Sequence, residues 1–574
     1  MNFTHGISAE ISFIWEWWRR NEQKKFFYPA LLLFFCLLAL LPLLLPGIPK
    51  GHDIFFHLAR ISALSDGLAH GTFPVKIYPG VADTGYANGL FYPDFFLYIP
   101  ALLVWAHVPI VIAYKLFFGV IFIGAAFSMY WVLKRISGSG YTAFLGGMLY
   151  MISSFAVSDF WIRAALGEMQ CFVFMPLVIW GLYEIILGNP RNFWALAAGM
   201  IGLGLAHVIT FALAVIITAV FCAFFIFRFV TAPRRVLALA AAVVVTLLLL
   251  LWFYLPLAEM MRSDVFYVNT SVSASPIATR TIPFMRLFLE IPYMKTAYWH
   301  PAGIGLIFCI ILFYRVRTGL GRGRQRKWLD ACLIAGFGML ICCTVFLPWE
   351  GAFSAFSFMQ FPWRLYLPAL AFLACGSALG VARMSRHSAR LRFRWLIAVI
   401  IGAGFAFALN VGYIYTAKIA EKNIYIGAPI SERASITCGH YLPDGTDMAA
   451  LSRVDRHQAV ILRGEARLEP LIRRAGTAVL AFSGAKPHTL IELPLISYKG
   501  YSARINDRYE ARLKTSARNF LAVELPAQIS EGKMTIFYRG TVLQRWTGWI
   551  SFIAFLAVVL CMGWDLRQRR RLLK

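Results

Sequence analysis

Charged residues are scarce in this 574-residue chain: Asp, Glu, Lys and Arg make up 14% of it, against 59% hydrophobic and 16% aromatic residues. That balance excludes a soluble globular protein of this length. Acidic residues are the scarcer sign, 28 against 55 Lys plus Arg, for a net charge of +27. The basic residues sit in short clusters between apolar runs, so the excess is a topology signal and poor support for nucleic-acid binding. Of ten cysteines, only Cys438 lies in the long polar segment near the C-terminus, and no disulfide framework is implied. The chain has no P-loop, Rossmann glycine pattern, Cys-x-x-Cys pair, His-Glu-x-x-His or Gly-x-Ser-x-Gly. Nucleotide hydrolysis, zinc chemistry and serine hydrolysis therefore lack support. The apolar runs also lack the mid-depth charges of ion-coupled transporters, and there is no internal repeat.

What the chain does have is apolar runs of membrane length, about 20 residues each. Residues 1–26 carry Trp15, Trp17, Trp18, Arg19, Arg20, Lys24 and Lys25, which read as a cytoplasmic or interfacial anchor. The first run, 27–47, has no small-residue cleavage pattern and is expected to stay as a membrane helix. Further spans are expected at 110–133, 141–157, 170–187, 192–207, 209–229, 236–257, 302–314, 329–347, 364–382, 395–415 and 549–564. Residues 95–108 are too short and read as re-entrant or interfacial. With this assignment every strong basic cluster falls on one side, the cytoplasmic one by the positive-inside rule, together with both termini. The expected fold is an all-α polytopic membrane protein of about twelve transmembrane helices in the cell (inner) membrane. Its multi-span domain covers 27–416 with a first outer loop at 48–94, and the last helix and basic tail cover 544–574.

Residues 417–543 differ in composition. Alternating stretches at Ala459 to Leu462, Ala478 to Phe482, Thr489 to Leu493, Phe520 to Leu525 and Lys533 to Tyr538 read as strands of a small extracytoplasmic β domain. Gly500 and Asn506-Asp507 supply its turn chemistry.

The same topology sends several polar clusters to the outer face. In Gly51-His52-Asp53-Ile54-Phe55-Phe56-His57-Leu58-Ala59-Arg60, a helix would put Asp53, His57 and Arg60 on one face at i, i+4, i+7. A carboxylate, an imidazole and a guanidinium there suit a base or metal ligand, a proton carrier and a phosphate clamp. A solvated amphipathic loop helix is the plainer alternative. The first loop also holds Tyr78, Asp83, Asn88, Tyr92 and Asp94, and the second holds Asp159, Arg163 and Glu168. Asp159 and Arg163 can pair at i, i+4, whereas Glu168 falls about 140° round a continuous helix and is expected to be free for another partner. It serves either acid–base work or a structural ion pair. His207 ends its span, where a helix-end hydrogen bond is the plainer account, and a loop cap is the plainer account of Glu259. Asn269-Thr270-Ser271 matches a glycosylation sequon weakly. In Gln360-Phe361-Pro362-Trp363-Arg364, Trp363 fits an interfacial anchor, but Arg364 runs against the positive-inside trend. A lipid phosphate or pyrophosphate would satisfy it, and Asp53 or Glu168 is the intramolecular alternative.

Gly51-His52-Asp53-x-x-x-His57-x-x-Arg60, Arg163-x-x-x-Leu-Gly-Glu168, Ala206-His207-Val208-Ile209-Thr210, Leu255-Pro256-Leu257 and Gln360-Phe361-Pro362-Trp363-Arg364 give the chain a resemblance. In that order and spacing it resembles the 6-pyruvoyl-tetrahydropterin synthase-related integral membrane protein family, itself similar to GT-C-fold glycosyltransferases. The resemblance covers about residues 27–385, and the tail from Tyr498 to Tyr538 looks like that of large membrane glycosyltransferases. The pterin in the family label implies nothing here. What the resemblance implies is transfer of a sugar on the outer face, from a polyprenyl-phosphate donor to a glycan, lipid or protein acceptor of the cell envelope. Under it Asp53 is a general base or the ligand of a divalent cation, with Mg or Mn possible, and Glu168 is a second acid or metal ligand. His57 orients Asp53 or the acceptor. Arg60, Arg364 and Arg163 bind the donor phosphate, and Asp94, His207, Gln360 and Trp363 are further cavity residues. The alternatives are a lipid-linked glycan flippase or export component, and a structural partner of an envelope-polymer complex.

Overall fold

The computed structural model describes residues 2–270, 277–289, 293–295, 298–317, 323–420, 424–427, 436, 439–474 and 477–572. Ser271 of the sequon and Cys438 lie outside them. The chain forms two compact units. The first comprises residues 1–54, 115–243 and 276–426, and the second residues 55–114, 244–275 and 427–574.

Long apolar runs form helices here because hydrocarbon offers backbone N–H and C=O groups no partner other than the helix itself. Among the described residues seven helices are long and apolar enough to cross a membrane. They are Phe27–Leu44, Ile110–Ser137, Leu166–Ile186, Pro233–Ser263, Pro362–Met384, Ala389–Gly412 and Val542–Trp564. An eighth is gained if Gly140–Met151 and Ser154–Arg163, bent by 45° at their junction, make one span. The chain is thus a multi-span membrane protein. The four remaining expected spans fall on shorter or more polar helices. Trp194–Ala206 has 13 residues, Val208–Phe224 has 17 and Leu306–Arg317 has 12. Arg324–Cys342 has 19 but opens on Arg324, Arg326 and Lys327. Phe95–Trp105, in the stretch expected to be re-entrant or interfacial, is a short apolar helix.

In the first unit, Leu166–Ile186 and Trp194–Ala206 pack backbone to backbone. A Cβ on Gly181 would lie 2.3 Å from the Leu196 nitrogen, so only glycine permits this approach. Such contact fixes the helix that carries Glu168.

The second unit contains two antiparallel sheets. In one, Thr477–Ser483 and Tyr501–Ile505 flank Gly532–Tyr538, with Ile536 opposite both Ala478 and Ala503. In the other, Phe520–Glu524 lies between Arg512–Thr515 and Leu490–Ile496, and Val460–Arg463 pairs beyond. All five stretches expected as strands are strands, with ends within three residues. Leu480, Leu493, Ile505, Val523 and Ile536 come from both sheets into one buried core, the arrangement of a β-sandwich.

Candidate functional site

Asp53 is placed by backbone contacts. The helix expected to carry it with His57 and Arg60 begins one residue later, at Ile54 (Ile54–Ala69), so Asp53 is not on its face. Its peptide N–H donates to the Arg163 carbonyl at 3.0 Å, and that of His52 to the Ile162 carbonyl at 3.3 Å. These bonds require Gly51: a Cβ there would lie 2.6 Å from the Ala164 Cβ and 3.0 Å from the Ile162 oxygen.

Arg163 ends its helix with a wide turn over Asp159–Arg163, and Ala164 follows in the left-handed region at φ 53°. Such a conformation costs a non-glycine residue about 1–3 kcal/mol. It reverses the chain, so that Glu168, in the first turn of Leu166–Ile186, folds back onto Arg163. Nη1 of Arg163 reaches Glu168 Oε2 at 2.6 Å, and Nη2 reaches Oε1 at 3.2 Å. The Asp159 carboxylate takes Nη1 from the other side. The expected Asp159–Arg163 pair therefore forms, but Glu168 is not free of Arg163. The expectation assumed one continuous helix, and Ala164 breaks it.

The segment Phe361-Pro362 is extended into a short turn, Pro362–Leu365, that opens the helix Tyr366–Met384. Arg364 leaves this turn toward the same acid: Nη1 lies 3.0 Å from Glu168 Oε1 and 3.1 Å from His207 Nε2. Nη2 donates to Gln360 Oε1 at 2.8 Å. His207 Nδ1 is 2.8 Å from the Thr210 hydroxyl. Nδ1 also accepts the Thr210 backbone N–H at 3.3 Å, which caps the helix Val208–Phe224, while Nε2 faces Arg364. His207 is thus both a helix cap and part of the network. Trp363 places its ring 4.2 Å from the Arg163 guanidinium, a cation–π contact.

Asp159, Arg163, Glu168, His207 and Trp363 are buried, while Asp53, Gln360 and Arg364 are half-buried and form the accessible side. Three groups stand out. Among the described residues no cation lies within ion-pair distance of the Asp53 carboxylate, Arg364 Nε–H is buried without an acceptor, and Asp159 Oδ2 is buried without a donor. Burial raises the Asp53 carboxyl above its ordinary range, Arg163 and Arg364 oppose the rise, and Glu168 adds to it.

His57, Arg60 and Asp94 form a second cluster, in the other unit. Arg60 is 1% exposed, and its Nε donates to Asp94 Oδ1 at 2.9 Å. Its Nη2 donates to the same oxygen and to the Pro93 carbonyl at 2.7 Å, while Nη1 lies 3.1 Å from His57 Nδ1. Its guanidinium stacks 4.1 Å from the Tyr92 ring, and Tyr78 donates to Asp94 Oδ2. Sequence reasoning placed Tyr78, Tyr92 and Asp94 in this loop without their pairing.

The carboxylates do not present a ready metal centre. Glu168 and one oxygen of Asp159 are held by arginines, and among the described residues no three His, Cys, Asp or Glu side chains converge. Asp53 as a metal ligand thus finds no ligand set around it among the described residues. Two contributors were given no role in the sequence reading. Arg280 donates to the Gln360 carbonyl at 2.8 Å, and Thr210 holds His207. Arg280 had the same signal as Arg364, a lone arginine on the expected outer side.

No protein-family model and no curated protein matches the chain. The resemblance to the pterin-synthase-related family therefore stands on the quoted motifs alone. Solved structures with partial likeness are membrane glycosyltransferases. ArnT from Cupriavidus metallidurans bound to undecaprenyl phosphate is 14% identical with a TM-score of 0.41, over 72% of this chain and 78% of that one. The archaeal oligosaccharyltransferase AglB from Archaeoglobus fulgidus, in complex with an inhibitory peptide and a dolichol-phosphate, is 13% identical with a TM-score of 0.35, over 71% of this chain and 57% of that one. The mycobacterial arabinofuranosyltransferase AftD is 13% identical with a TM-score of 0.36, over 69% of this chain and 27% of that one. The chain thus spans little more than half the length of AglB and about a quarter of AftD. At these scores the likeness assigns no activity.

Proposed function

We propose that the chain is a glycosyltransferase of the cell (inner) membrane, crossing about twelve times with both termini cytoplasmic. It moves a sugar from a polyprenyl-phosphate donor to an envelope acceptor on the outer face. The observation that carries this reading is the Asp53 carboxylate, half-buried, without an ion-pair partner among the described residues and raised in pKa by burial, in the field of Arg163 and Arg364. A carboxylate so tuned is a stronger base than an ordinary aspartate. It takes the acceptor hydroxyl proton as the acceptor oxygen bonds to the anomeric carbon and the bond from that carbon to the phosphate oxygen breaks. The polyprenyl phosphate leaves with added negative charge.

Arg364 meets that charge through its Nε–H, the guanidinium donor with no acceptor among the described residues. Glu168, His207 and Gln360 hold Arg364 in place, so Glu168 acts as a positioning residue. Arg163, shared by two carboxylates, fixes Glu168 and the backbone that carries Asp53. Arg60 and His57 brace the first loop through Asp94.

The test is transfer in membranes containing wild type or Asp53→Asn at matched levels, with a panel of labelled polyprenyl-phosphate sugars. Wild type is expected to consume a donor and the variant to lose at least about 100-fold. Absence of consumption by wild type, or equal rates, would replace this reading with a non-enzymatic carrier.

A further inference from the structure

A cavity of about 440 Å³ lies within the second unit, between the chain around residues 63–85 and the end of the sheet formed by Thr477, Tyr501 and Phe537. Its volume is in the range of small-molecule sites, about 300–1,000 Å³. It belongs to none of the groups given a chemical role above except that Tyr78 lines it.

Three features of the lining point to the chemistry of an occupant. The first is Lys76, half-buried, with no carboxylate in ion-pair reach among the described residues and with Trp252 as its aromatic neighbour at 5.0 Å. The nearest charge acting on it is Asp94, whose two oxygens are taken by Arg60 and Tyr78. An ammonium partly withdrawn from water, beside an aromatic ring and without a paired carboxylate among the described residues, is favourably completed by an anion. Burial accordingly lowers its pKa to about 8.

The second feature is Arg473. Its Nη2 donates to the Asp83 carbonyl and its Nη1 to the Pro494 carbonyl at 3.4 Å, while the Asp83 carboxylate stands 3.5 Å away. Two neutral carbonyls and one loose carboxylate orient this guanidinium; with Asp66 also in the lining, Lys76, Arg473 and Arg456 exceed the two carboxylates Asp66 and Asp83 by one charge. Arg456 adds a further cation at the rim. The third feature is aromatic: Tyr501 and Tyr538, paired across neighbouring strands and on one face of the sheet, meet edge to face at 5.4 Å. Tyr538 is fixed because its hydroxyl donates to the Lys499 carbonyl and accepts from Gln544 Nε2. Rigid aromatic faces take the C–H face of a pyranose, and flanking cations take a carboxylate or phosphate on it.

We propose that this cavity binds an acidic saccharide, a sugar carrying a carboxylate or phosphate, with Lys76 on the anion and the Tyr501–Tyr538 pair against the ring. Its assignment as the acceptor rests on the transferase reading; its binding does not.

Binding is measured on the full chain in nanodiscs by isothermal calorimetry, with no donor present, so that it reads independently of transfer. The probes are an oligogalacturonate, a neutral oligoglucose of equal length, glucose 6-phosphate and inorganic phosphate. The acidic sugars are expected to bind at least about tenfold more tightly than the neutral one, with inorganic phosphate weaker than either. The comparison of carboxylate with phosphate sugar identifies which anion is preferred. Lys76→Gln should lose at least about tenfold, Lys76→Arg should stay within about threefold, and Tyr501→Ala should weaken the sugars but not inorganic phosphate. Thermal melting of each variant confirms folding. Equal affinity for acidic and neutral sugars, binding unchanged by Lys76→Gln, or no binding by any probe overturns the proposal. Binding by inorganic phosphate as tight as by the sugars overturns the saccharide assignment. Transfer lost in Asp53→Asn with no saccharide bound leaves the transferase standing alone; saccharide bound with no transfer leaves the cavity standing alone.

Discussion

Arg364 and Glu168, 196 residues apart in sequence, meet at 3.0 Å with both side chains largely buried. Glu168 is also held by Arg163, so one carboxylate ties two helix ends together. Removing it leaves two buried guanidiniums short of a partner, and breaking a buried pair costs about 3–5 kcal/mol. Glu168→Ala is therefore expected to lower the melting temperature clearly in detergent. Glu168→Gln, which keeps the shape and one acceptor, should cost less stability but still misorient Arg364. A melting scan of both variants beside transfer assays separates these effects; equal melting of Glu168→Ala and wild type would contradict the pairing.

Gly51→Ala tests the close approach that places Asp53. A methyl group 2.6 Å from the Ala164 Cβ must push the two segments apart and lengthen the bonds from His52 and Asp53 to the Ile162 and Arg163 carbonyls. Overpacking of this kind costs about 1–3 kcal/mol. A displacement of about 1 Å at a reacting group can cost about 100-fold in rate. Transfer should thus fall far more than stability does, as shown by rate and melting measured on one preparation.

Much of this was legible in the sequence, and what was not has a local cause. The strands of the sandwich followed from alternation at Ala478 to Phe482 and Lys533 to Tyr538, because one face of each is buried. Arg364 was legible as a charge against the topology trend and Glu168 as an acid at a helix start. Their meeting was not, because nothing local links residues 196 apart. Asp53 was wrongly put on a helical face, since spacing alone does not show that the helix begins at Ile54. The left-handed Ala164 was equally invisible, because alanine carries no preference for that conformation. The span count was legible only where a run was both long and apolar; Trp194–Ala206 and Leu306–Arg317 are too short to decide by length.

The raised pKa of Asp53 has a kinetic signature. As a base it works only when ionised, so the rate falls as pH drops through its pKa. The acid limb should stand above the ordinary aspartate value of about 3.9. Arg364 lowers that pKa, so Arg364→Gln should move the limb further up as well as weaken donor binding. Profiles of kcat/KM against pH for wild type and Arg364→Gln measure the shift; an unmoved limb would detach Asp53 from Arg364.

Arg60 separates a brace from a clamp. Its Nε and Nη2 donate to Asp94 and Pro93, Nη1 contacts His57, and its plane stacks on Tyr92, so it is committed inside its own unit. Lysine keeps the charge but loses the planar fork and the stacking. If Arg60 braces the loop, Arg60→Lys should be nearly as damaging as Arg60→Ala, raising protease cleavage within residues 55–94 while leaving the KM for donor within about twofold in the molecules that remain folded. A phosphate clamp predicts the opposite pattern, with Arg60→Lys tolerated, protease resistance intact and the alanine variant losing donor affinity. Asp94→Asn supplies the reciprocal check: it removes the charge that Arg60 and Tyr78 share and should reproduce the cleavage pattern of Arg60→Ala. Because both partners are buried, loss of either leaves the other uncompensated, and the two variants should destabilise by similar amounts, about 3–5 kcal/mol.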